Sequence, residues 1–225
     1  MRNEFESFII DNHIVGFSEE LHVLASGRTS HLFIDWSKAS QDVYLMDEVT
    51  NYILAFAKSK GLHPDCFYGV AEGTSPIGLI TQFKWGKMNQ ARHGTYVLAM
   101  GRGKLKERGP VSDRKYVGAP RGKTIVIEDT VTTGLSLLPT LDQLLAEPEV
   151  EVMAALCLFN RMALRDDGDS VAVAAAKKGI PFLDMADAFS VLPRAYACLQ
   201  PRDEIADAVE AEYEQYGIEP LKLRR

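Results

Sequence analysis

One stretch of the sequence decides the fold: Lys123-Thr-Ile-Val-Ile-Glu-Asp-Thr-Val-Thr-Thr-Gly-Leu-Ser136. Its apolar start, residues 124–127, is typical of a buried strand, and that strand runs straight into two carboxylates, Glu128 and Asp129. A hydroxyl-rich turn follows, and Gly134 opens a leucine-rich helical pattern. In an open α/β sheet, ligands bind where the carboxyl ends of strands meet the N-termini of helices. The stretch therefore predicts a ligand site at one end of a parallel sheet.

The turn after the two acids is suited to a phosphate group. In such a turn the backbone N–H groups of Thr132, Thr133 and Gly134 point into the crevice, and the helix dipole favours negative charge there. Because Gly134 has no Cβ, the backbone can approach a ligand closely. The neighbouring carboxylates of Glu128 and Asp129 can accept hydrogen bonds from vicinal sugar hydroxyls. We therefore expect one turn to bind both a phosphate and its ribose.

A second interpretation of this stretch is a Walker-B-like strand end, or a pair of acids that caps the next helix. A Walker B acid works together with a phosphate loop, and the motif GxxxxGK[ST] occurs nowhere in the chain. We therefore favour a sugar-phosphate site.

The remaining chain alternates short apolar runs with helical patterns. Strands are predicted at 66–71, 96–100, 124–127, 151–159 and 180–183. Helices are predicted at 43–56, 77–83, 137–145, 170–178 and 205–216, the last with an apolar stripe interrupted by Glu212. Ser40 and Ser75 are candidate N-caps, and Pro76 suits the first helical position. Buried strands that alternate with helices predict an α/β fold whose parallel sheet is covered on both faces.

Two segments depart from this alternation. Residues 1–38 combine a short helical pattern with a strand at 32–34, which predicts a small N-terminal hood on a core of residues 39–225. Residues 101–122 form a loop with seven basic side chains and many glycines and prolines. So long a loop in a compact domain is usually functional or disordered, and a purely structural linker has no evident use for so much positive charge, so we expect this loop to have a function.

The composition excludes several other classes of protein. The 225 residues carry a net charge of −6, whereas broad binding to nucleic acid or an anionic membrane needs a concentrated positive surface. Cys66, Cys157 and Cys198 lie far apart without metal-ligand spacing, as expected for reduced thiols in a cytoplasmic protein. The longest nearly apolar stretch, 152–159, is too short to span a membrane, and the acidic N-terminus predicts no signal peptide.

Taken in order, these motifs resemble those of the type I phosphoribosyltransferases. That family binds phosphoribosyl pyrophosphate (PRPP) with an apolar strand, two acids and a TTG-like turn. Further segments, spread over nearly the whole chain, are similar to the orotate phosphoribosyltransferase branch. They are Ser26-Gly-Arg-Thr-Ser-His-Leu-Phe-Ile34, Tyr68-Gly-Val-Ala71, Pro76-Ile-Gly78, Phe159-Asn-Arg161 and a loop frame formed by Arg102, Lys106 and Gly109.

The resemblance implies a fold and an activity. The fold is a parallel core of about five strands with a small hood, assembled as a homodimer whose mobile loop reaches the neighbouring active site. The activity is Mg²⁺-dependent transfer of the phosphoribosyl group from PRPP to a base. Orotate is the first candidate, and it would give orotidine 5′-monophosphate and pyrophosphate in pyrimidine nucleotide biosynthesis. No direct protein ligand to the metal is expected, because PRPP itself holds most of the Mg²⁺.

The resemblance also assigns roles to individual residues. Catalytic roles fall on Lys106, Arg102 and Asp129. The base is expected to contact Phe33, Ile34, Thr132 and Arg161, although a core position for Phe33 and a solvated one for Arg161 are the alternatives. PRPP is expected to contact Lys104, Arg108, Glu128, Asp129, Thr130, Val131, Thr132, Thr133, Gly134, Leu135 and Ser136.

Several positions depart from the pattern of the family. They are Ala25 (usually lysine), Glu72 and Gly73 (a tyrosine–lysine pair), Gly103 (a second basic residue), Arg108 (a histidine) and Leu135 (a small hydroxyl residue). These departures leave two alternatives open. One is a phosphoribosyltransferase for another base, and the other is a PRPP- or nucleotide-binding regulator that has lost catalysis.

Overall fold

The computed structural model of the chain describes residues 1–90 and 92–224, with the side chains of residues 111 and 112 excepted. Its strands are β1 (Val15–Val23), β2 (Thr29–Ile34), β3 (Cys66–Gly69), β4 (Met100–Gly101), β5 (Tyr116–Val117), β6 (Gly122–Val131), β7 (Val150–Asn160) and β8 (Phe182–Asp187). Its helices are α1 (Arg2–Asp11), α2 (Ser37–Gln41), α3 (Val43–Ser59), α4 (Ser75–Met88), α5 (Val111–Lys115), α6 (Leu137–Leu145), α7 (Val171–Ala176), α8 (Ala188–Leu199) and α9 (Asp203–Tyr216).

The centre of the fold is a parallel sheet in the order β3-β6-β7-β8. Because successive side chains of a strand point to opposite faces, each strand contributes to two hydrophobic clusters. Phe67 and Ile125 lie in the larger cluster, which α1, α3, α4, α8 and α9 cover. Tyr68 and Val126 lie in the smaller cluster, which α6 and α7 cover. The predicted α/β class, with helices on both faces of a parallel sheet, is confirmed.

The number of strands differs from the expected five or so, since four strands form the central sheet within the described residues. The run 96–100, predicted as a strand, does not join it. Only Met100 and Gly101 are in strand conformation, and they pair antiparallel with β5 rather than with β3. Gly118, just after β5, lies so close to Leu98 that a Cβ would sit 2.2 Å from its carbonyl oxygen. The returning loop therefore occupies the pairing edge of this run.

The N-terminal segment forms helix α1 and an antiparallel β1–β2 hairpin. The helix and the strand around 32–34 agree with the sequence, but β1 was not predicted because its polar middle, residues 18–22, is largely exposed. Phe5 of α1 stacks on Trp36 with ring centres 6.2 Å apart, and both belong to the larger core cluster. The division into a hood of residues 1–38 and a core of residues 39–225 stays a proposal.

Both predicted N-caps are wrong. Asp42, not Ser40, caps α3, since its carboxylate accepts hydrogen bonds from the N–H groups of Tyr44 and Leu45. Ser75 is the first residue of α4 rather than its cap, and its buried hydroxyl has no hydrogen-bond partner within the described residues. None of the helices described by the structure combines the length and the apolarity needed to cross a membrane.

Candidate active site

The carboxyl ends of β3 and β6 lie side by side in the parallel sheet. Helix α4, which follows β3, packs on one face of the sheet, whereas α6, which follows β6, packs on the other. Adjacent parallel strands whose connections leave to opposite faces create a ligand-binding crevice at this point. The two acids Glu128 and Asp129 lie near the end of β6, at this crevice.

The two acids are held in a largely buried environment. The Glu128 side chain accepts a hydrogen bond of 2.9 Å from the Thr74 hydroxyl, and Asp129 accepts one of 2.5 Å from the N–H of Thr130. Burial, with the nearby charge of Asp129, raises the pKa of Glu128 to about 8. Burial likewise raises the pKa of Asp129 to about 6. Within the described residues neither acid forms an ion pair, so the pair can receive donors from a ligand.

The turn after β6 presents free backbone donors. Within the described residues, the N–H groups of residues 132–136 have no hydrogen-bond acceptor in the protein. Gly134 has φ +76°, and a Cβ there would lie 3.1 Å from Leu138 and 3.2 Å from Val171. The turn therefore needs a glycine both for its conformation and for its close packing on α6. Its donors sit at the N-terminus of α6, where the helix dipole favours an anion.

A pocket lies beside the turn, and its walls come from the hood segment, from the end of β6 and from the turn itself. Ala25 and Ser26, at the turn of the hood hairpin, line the pocket, as do Glu128 and residues 130–137. The Trp36 indole N–H donates to the Thr130 hydroxyl at 3.1 Å, which ties the end of the hood segment to the strand end. The Arg165 guanidinium donates to the carbonyl oxygen of Thr133 at 3.0 Å. The structure thus brings Glu128 and residues 130–136 of the expected PRPP contacts together in one pocket, whereas Asp129, between them in the sequence, does not line it.

The basic loop, residues 101–122, is held mainly by hydrogen bonds between its own residues. The Arg102 side chain donates to the carbonyl oxygens of Asp113 at 3.0 Å and Tyr116 at 3.3 Å, and the Lys106 N–H donates to Arg114 at 2.9 Å. Lys104, Lys106 and Arg108 are exposed. Within the part of the chain that is described, none of their side chains pairs with the two acids. The structure therefore places the expected loop cations outside the acid–turn pocket.

The expected base contacts are not brought together. Phe33 and Ser30 point to opposite faces of β2, because side chains alternate along a strand. The Phe33 ring lies over Gly16, whose Cβ would be only 2.5 Å from it, and the Lys38 ammonium is 5.6 Å from the ring centre. Ile34 packs against the larger core cluster. The base-binding roles of these residues stay predictions.

Arg161 lies on the other side of the hairpin and is 3% exposed. Its guanidinium donates to Glu212 and to the Ser30 hydroxyl, both at 2.8 Å, and to the carbonyl oxygen of Leu32 at 3.3 Å. The guanidinium thus joins β2 to α9, and its charge is neutralised by Glu212. A role at the base stays a prediction for this residue.

Sequence reasoning missed several residues of this region. Thr74 and Trp36 reach the strand end from other elements, and no local pattern announces such contacts. Glu212 carried a usable signal, since it interrupts the apolar stripe of α9. An acid in that place needs a buried cation as partner, and Arg161 is that cation.

Comparison with known proteins relates the chain to the phosphoribosyltransferases. No family profile matches the chain. An orotate phosphoribosyltransferase of Stutzerimonas stutzeri is 25% identical over 221 residues, covering 96% of this chain and 98% of the relative. One of Thermoplasma volcanium is 30% identical over 144 residues, covering 62% of this chain and 74% of the relative.

Solved structures show the same fold. The orotate phosphoribosyltransferase of Francisella tularensis superposes with a TM-score of 0.68 over 95% of this chain and 99% of its own, at 17% identity. The adenine phosphoribosyltransferase of Leishmania tarentolae superposes with a TM-score of 0.51 over 85% of this chain and 90% of its own, at 12% identity. The chain belongs to the type I phosphoribosyltransferase family of enzymes, in the branch of the orotate phosphoribosyltransferases.

Proposed function

We propose that this protein transfers the 5-phosphoribosyl group of PRPP to orotate in a Mg²⁺-dependent reaction, giving orotidine 5′-monophosphate and pyrophosphate. The observation that carries the proposal is the set of N–H groups at residues 132–136 without an acceptor in the described protein, separated by two residues from the pair formed by the buried Glu128 and the half-buried Asp129. These donors bind the 5-phosphate at the N-terminus of α6. The acids accept hydrogen bonds from the two ribose hydroxyls.

The reaction exchanges groups at the anomeric carbon of the ribose. A ring nitrogen of the base enters with inversion and loses its proton, which the departing pyrophosphate can take, while the bond to pyrophosphate breaks. Positive charge therefore develops on the sugar. Glu128 and Asp129 lie beside that sugar. Their raised pKa values mean that the acids gain an electrostatic advantage as the cation-like transition state forms and favours their ionised state.

The loop of residues 101–122 supplies charge to the leaving group. Lys106, with Arg102 and with Lys104 or Arg108 as helpers, neutralises the departing pyrophosphate when the loop closes. Closure also excludes water, which would otherwise hydrolyse the activated sugar. The exposed state of these cations in the structure is consistent with a loop that awaits its ligand.

Magnesium has a defined place in this proposal. Among the described residues, no group of three or more His, Cys, Asp or Glu side chains could hold a metal ion. We propose that the metal arrives coordinated by the oxygens of PRPP. When bound, Mg²⁺ neutralises part of the charge on the pyrophosphate.

The identity of the base has one competing candidate. Orotate is supported by the names of the relatives, which are orotate phosphoribosyltransferases. A base without a carboxylate is favoured by the ion pair of Arg161 with Glu212, which leaves that arginine no free charge for an anionic base. Ala25, in place of a lysine, removes a second cation. Loss of catalysis with retained PRPP binding is the remaining alternative.

A homodimer is part of the proposal. Helix α4, the loop that follows it and strand β5 expose large apolar side chains, an arrangement that often marks a protein–protein interface. They are Ile80, Phe83, Met88, Leu98 and Val117. We also propose that the mobile loop acts in the neighbouring subunit and that the protein works in the cytoplasm, where its free cysteines stay reduced.

One assay tests the proposed function. Purified protein is incubated with PRPP and Mg²⁺, each of orotate, uracil and adenine is added separately, and pyrophosphate release is followed. Release with orotate alone supports the proposal, and release with another base supports the second candidate. Saturable PRPP binding without turnover supports the regulator. A protein that neither binds PRPP nor releases pyrophosphate contradicts all three.

A further inference from the structure

We propose that Thr74 is a positioning residue for Glu128: its hydroxyl fixes one carboxylate oxygen so that the other faces the ribose. The proposal rests on the function proposed above, in which Glu128 accepts a hydrogen bond from a ribose hydroxyl. Thr74 is 1% exposed, and it lies in none of the segments that resemble the motifs of the family.

The position of Thr74 is set by backbone packing between β3 and α4. A Cβ on Gly69 would lie 2.1 Å from the carbonyl oxygen of Thr74, and a Cβ on Gly78 would lie 2.4 Å from the nitrogen of Gly69. The two glycines thus allow the first turn of α4 to rest directly on the end of β3. Because β3 pairs with β6, this contact also fixes Thr74 relative to Glu128.

The hydrogen bonds define which way the Thr74 hydroxyl points. Its oxygen accepts from the N–H of Asp129 at 3.3 Å, and it lies 2.9 Å from Oε1 of Glu128. Since a hydroxyl has one proton, and Oε1 is the acceptor within reach, that proton goes to Glu128. The N–H of Asp129 also donates to the same Oε1 at 3.3 Å. Both contacts fall on Oε1, so Oε2 remains for a ligand in the pocket that Glu128 lines.

The Thr74 hydroxyl also favours the ionised form of Glu128, which the surroundings of that side chain disfavour. The titratable groups that face Glu128 are Asp129 beside it and the thiol of Cys157, its partner on β7. Within the described residues no cation pairs with Glu128. Burial raises the pKa of Glu128, and the hydrogen bond from Thr74 opposes that rise. Without the hydroxyl, a larger fraction of Glu128 would be protonated at neutral pH.

The chain offers a close set of variants for the test. Thr74→Val removes the hydroxyl and keeps the shape, and Thr74→Ser restores the donor. Thr81→Val is the matched control, because Thr81 is a buried threonine of α4, the helix that begins directly after Thr74, and its hydroxyl has no partner within the described residues. Glutamate labelled with ¹³C at the side-chain carboxyl allows Glu128 to be titrated by NMR in the ligand-free protein. Glu128→Gln identifies the resonance by its absence.

We expect the titration midpoint of Glu128 to rise in Thr74→Val and to stay near that of the wild type in Thr74→Ser and Thr81→Val. A midpoint in Thr74→Val equal to or below that of the wild type overturns the proposal. The test needs no substrate, so it decides the positioning role whether or not the wild type turns over.

Activity supplies a second readout. We expect kcat/KM for PRPP to fall about ten- to a hundredfold in Thr74→Val, the loss typical of a hydrogen bond to a charged group. Its acid limb should move to higher pH, and Thr74→Ser should recover most of the rate. Equal losses in Thr74→Val and Thr81→Val would reduce the role to general packing and overturn the proposal. Failure of the wild type to bind PRPP would instead reject the proposed function.

Discussion

The turn at residues 132–136 and the loop at residues 101–122 both offer positive charge to an anionic substrate, but they do so in different ways. The turn offers backbone N–H groups held by a helix and by the packing of Gly134 on Leu138. The loop offers the exposed ammonium and guanidinium groups of long side chains, on a segment fixed mainly by the short β4–β5 pairing.

The turn and the loop suit different parts of the proposed substrate. Donors that are already in place bind without reorganisation, so the turn suits the 5-phosphate, which stays on the ribose throughout the reaction. Cations on a loop can arrive with the substrate and withdraw with the product, so they suit the pyrophosphate, which must leave. We therefore propose that the turn and its acids bind PRPP, and that both the acids and the loop contribute to the chemical step.

The largest expected effects come from removing one charged group beside the turn and one on the loop. We expect both Asp129→Asn and Lys106→Ala to lower kcat by about 10²–10³. Only Asp129→Asn should also weaken PRPP binding in the absence of a base, because Lys106 acts after the loop closes. Calorimetry of PRPP binding and single-turnover rates separate the two effects, with Lys58→Ala on the exposed part of α3 as the control. Near-normal rates in both variants would contradict these roles.

The two acids beside the turn should make the free energy of unfolding depend on pH. The pKa values of Glu128 and Asp129, about 8 and about 6, lie above those of the unfolded chain, so the folded state binds more protons. Stability from these groups is therefore greatest below about pH 4 and is lost as the pH rises toward 8. We expect the free energy of unfolding of the ligand-free protein to fall by about 3–5 kcal/mol between pH 5 and pH 8.

Urea unfolding at several pH values measures that decline. In Glu128→Gln most of it should disappear, whereas Glu151→Gln, at an exposed position of β7, should leave it unchanged. A decline of the same size in Glu128→Gln would mean that other groups cause it.

A smaller effect should follow from adding a methyl group to a glycine in each region. Gly134 and Gly109 both have positive φ, +76° and +105°. We expect Gly134→Ala to lower the free energy of unfolding by about 1–2 kcal/mol, because packing on α6 prevents relaxation. Gly109→Ala should cost less than about 0.5 kcal/mol, because an exposed loop can adjust. Equal losses measured by urea unfolding would contradict the contrast between a fixed turn and an adjustable loop.

The sequence predicted the elements whose signals are local. Strand β6, its acids and α6 followed from one continuous stretch, and α3 and α9 followed from helical spacing. Strand β1 was not predicted because its middle is polar and exposed. The run 96–100 was wrongly assigned to the central sheet because it is apolar. Neither error is local, since which edge a segment pairs with depends on the rest of the chain.

The same limit applies to the site. The phosphate turn could be predicted because its donors are backbone groups of consecutive residues. The bond from Thr74 to Glu128 and the ion pair of Arg161 with Glu212 join residues 54 and 51 positions apart. Such contacts depend on the packing of α4 and α9, which one sequence does not state.

Amide NMR of the ¹⁵N-labelled protein tests the central claim most directly. Ribose 5-phosphate, which carries the phosphate and the ribose hydroxyls but no pyrophosphate, is titrated against the wild-type protein. The account predicts saturable shifts centred on the amides of residues 132–136, with little change in residues 101–110 of the loop. Saturable binding that shifts other amides and leaves those of residues 132–136 unchanged would contradict it.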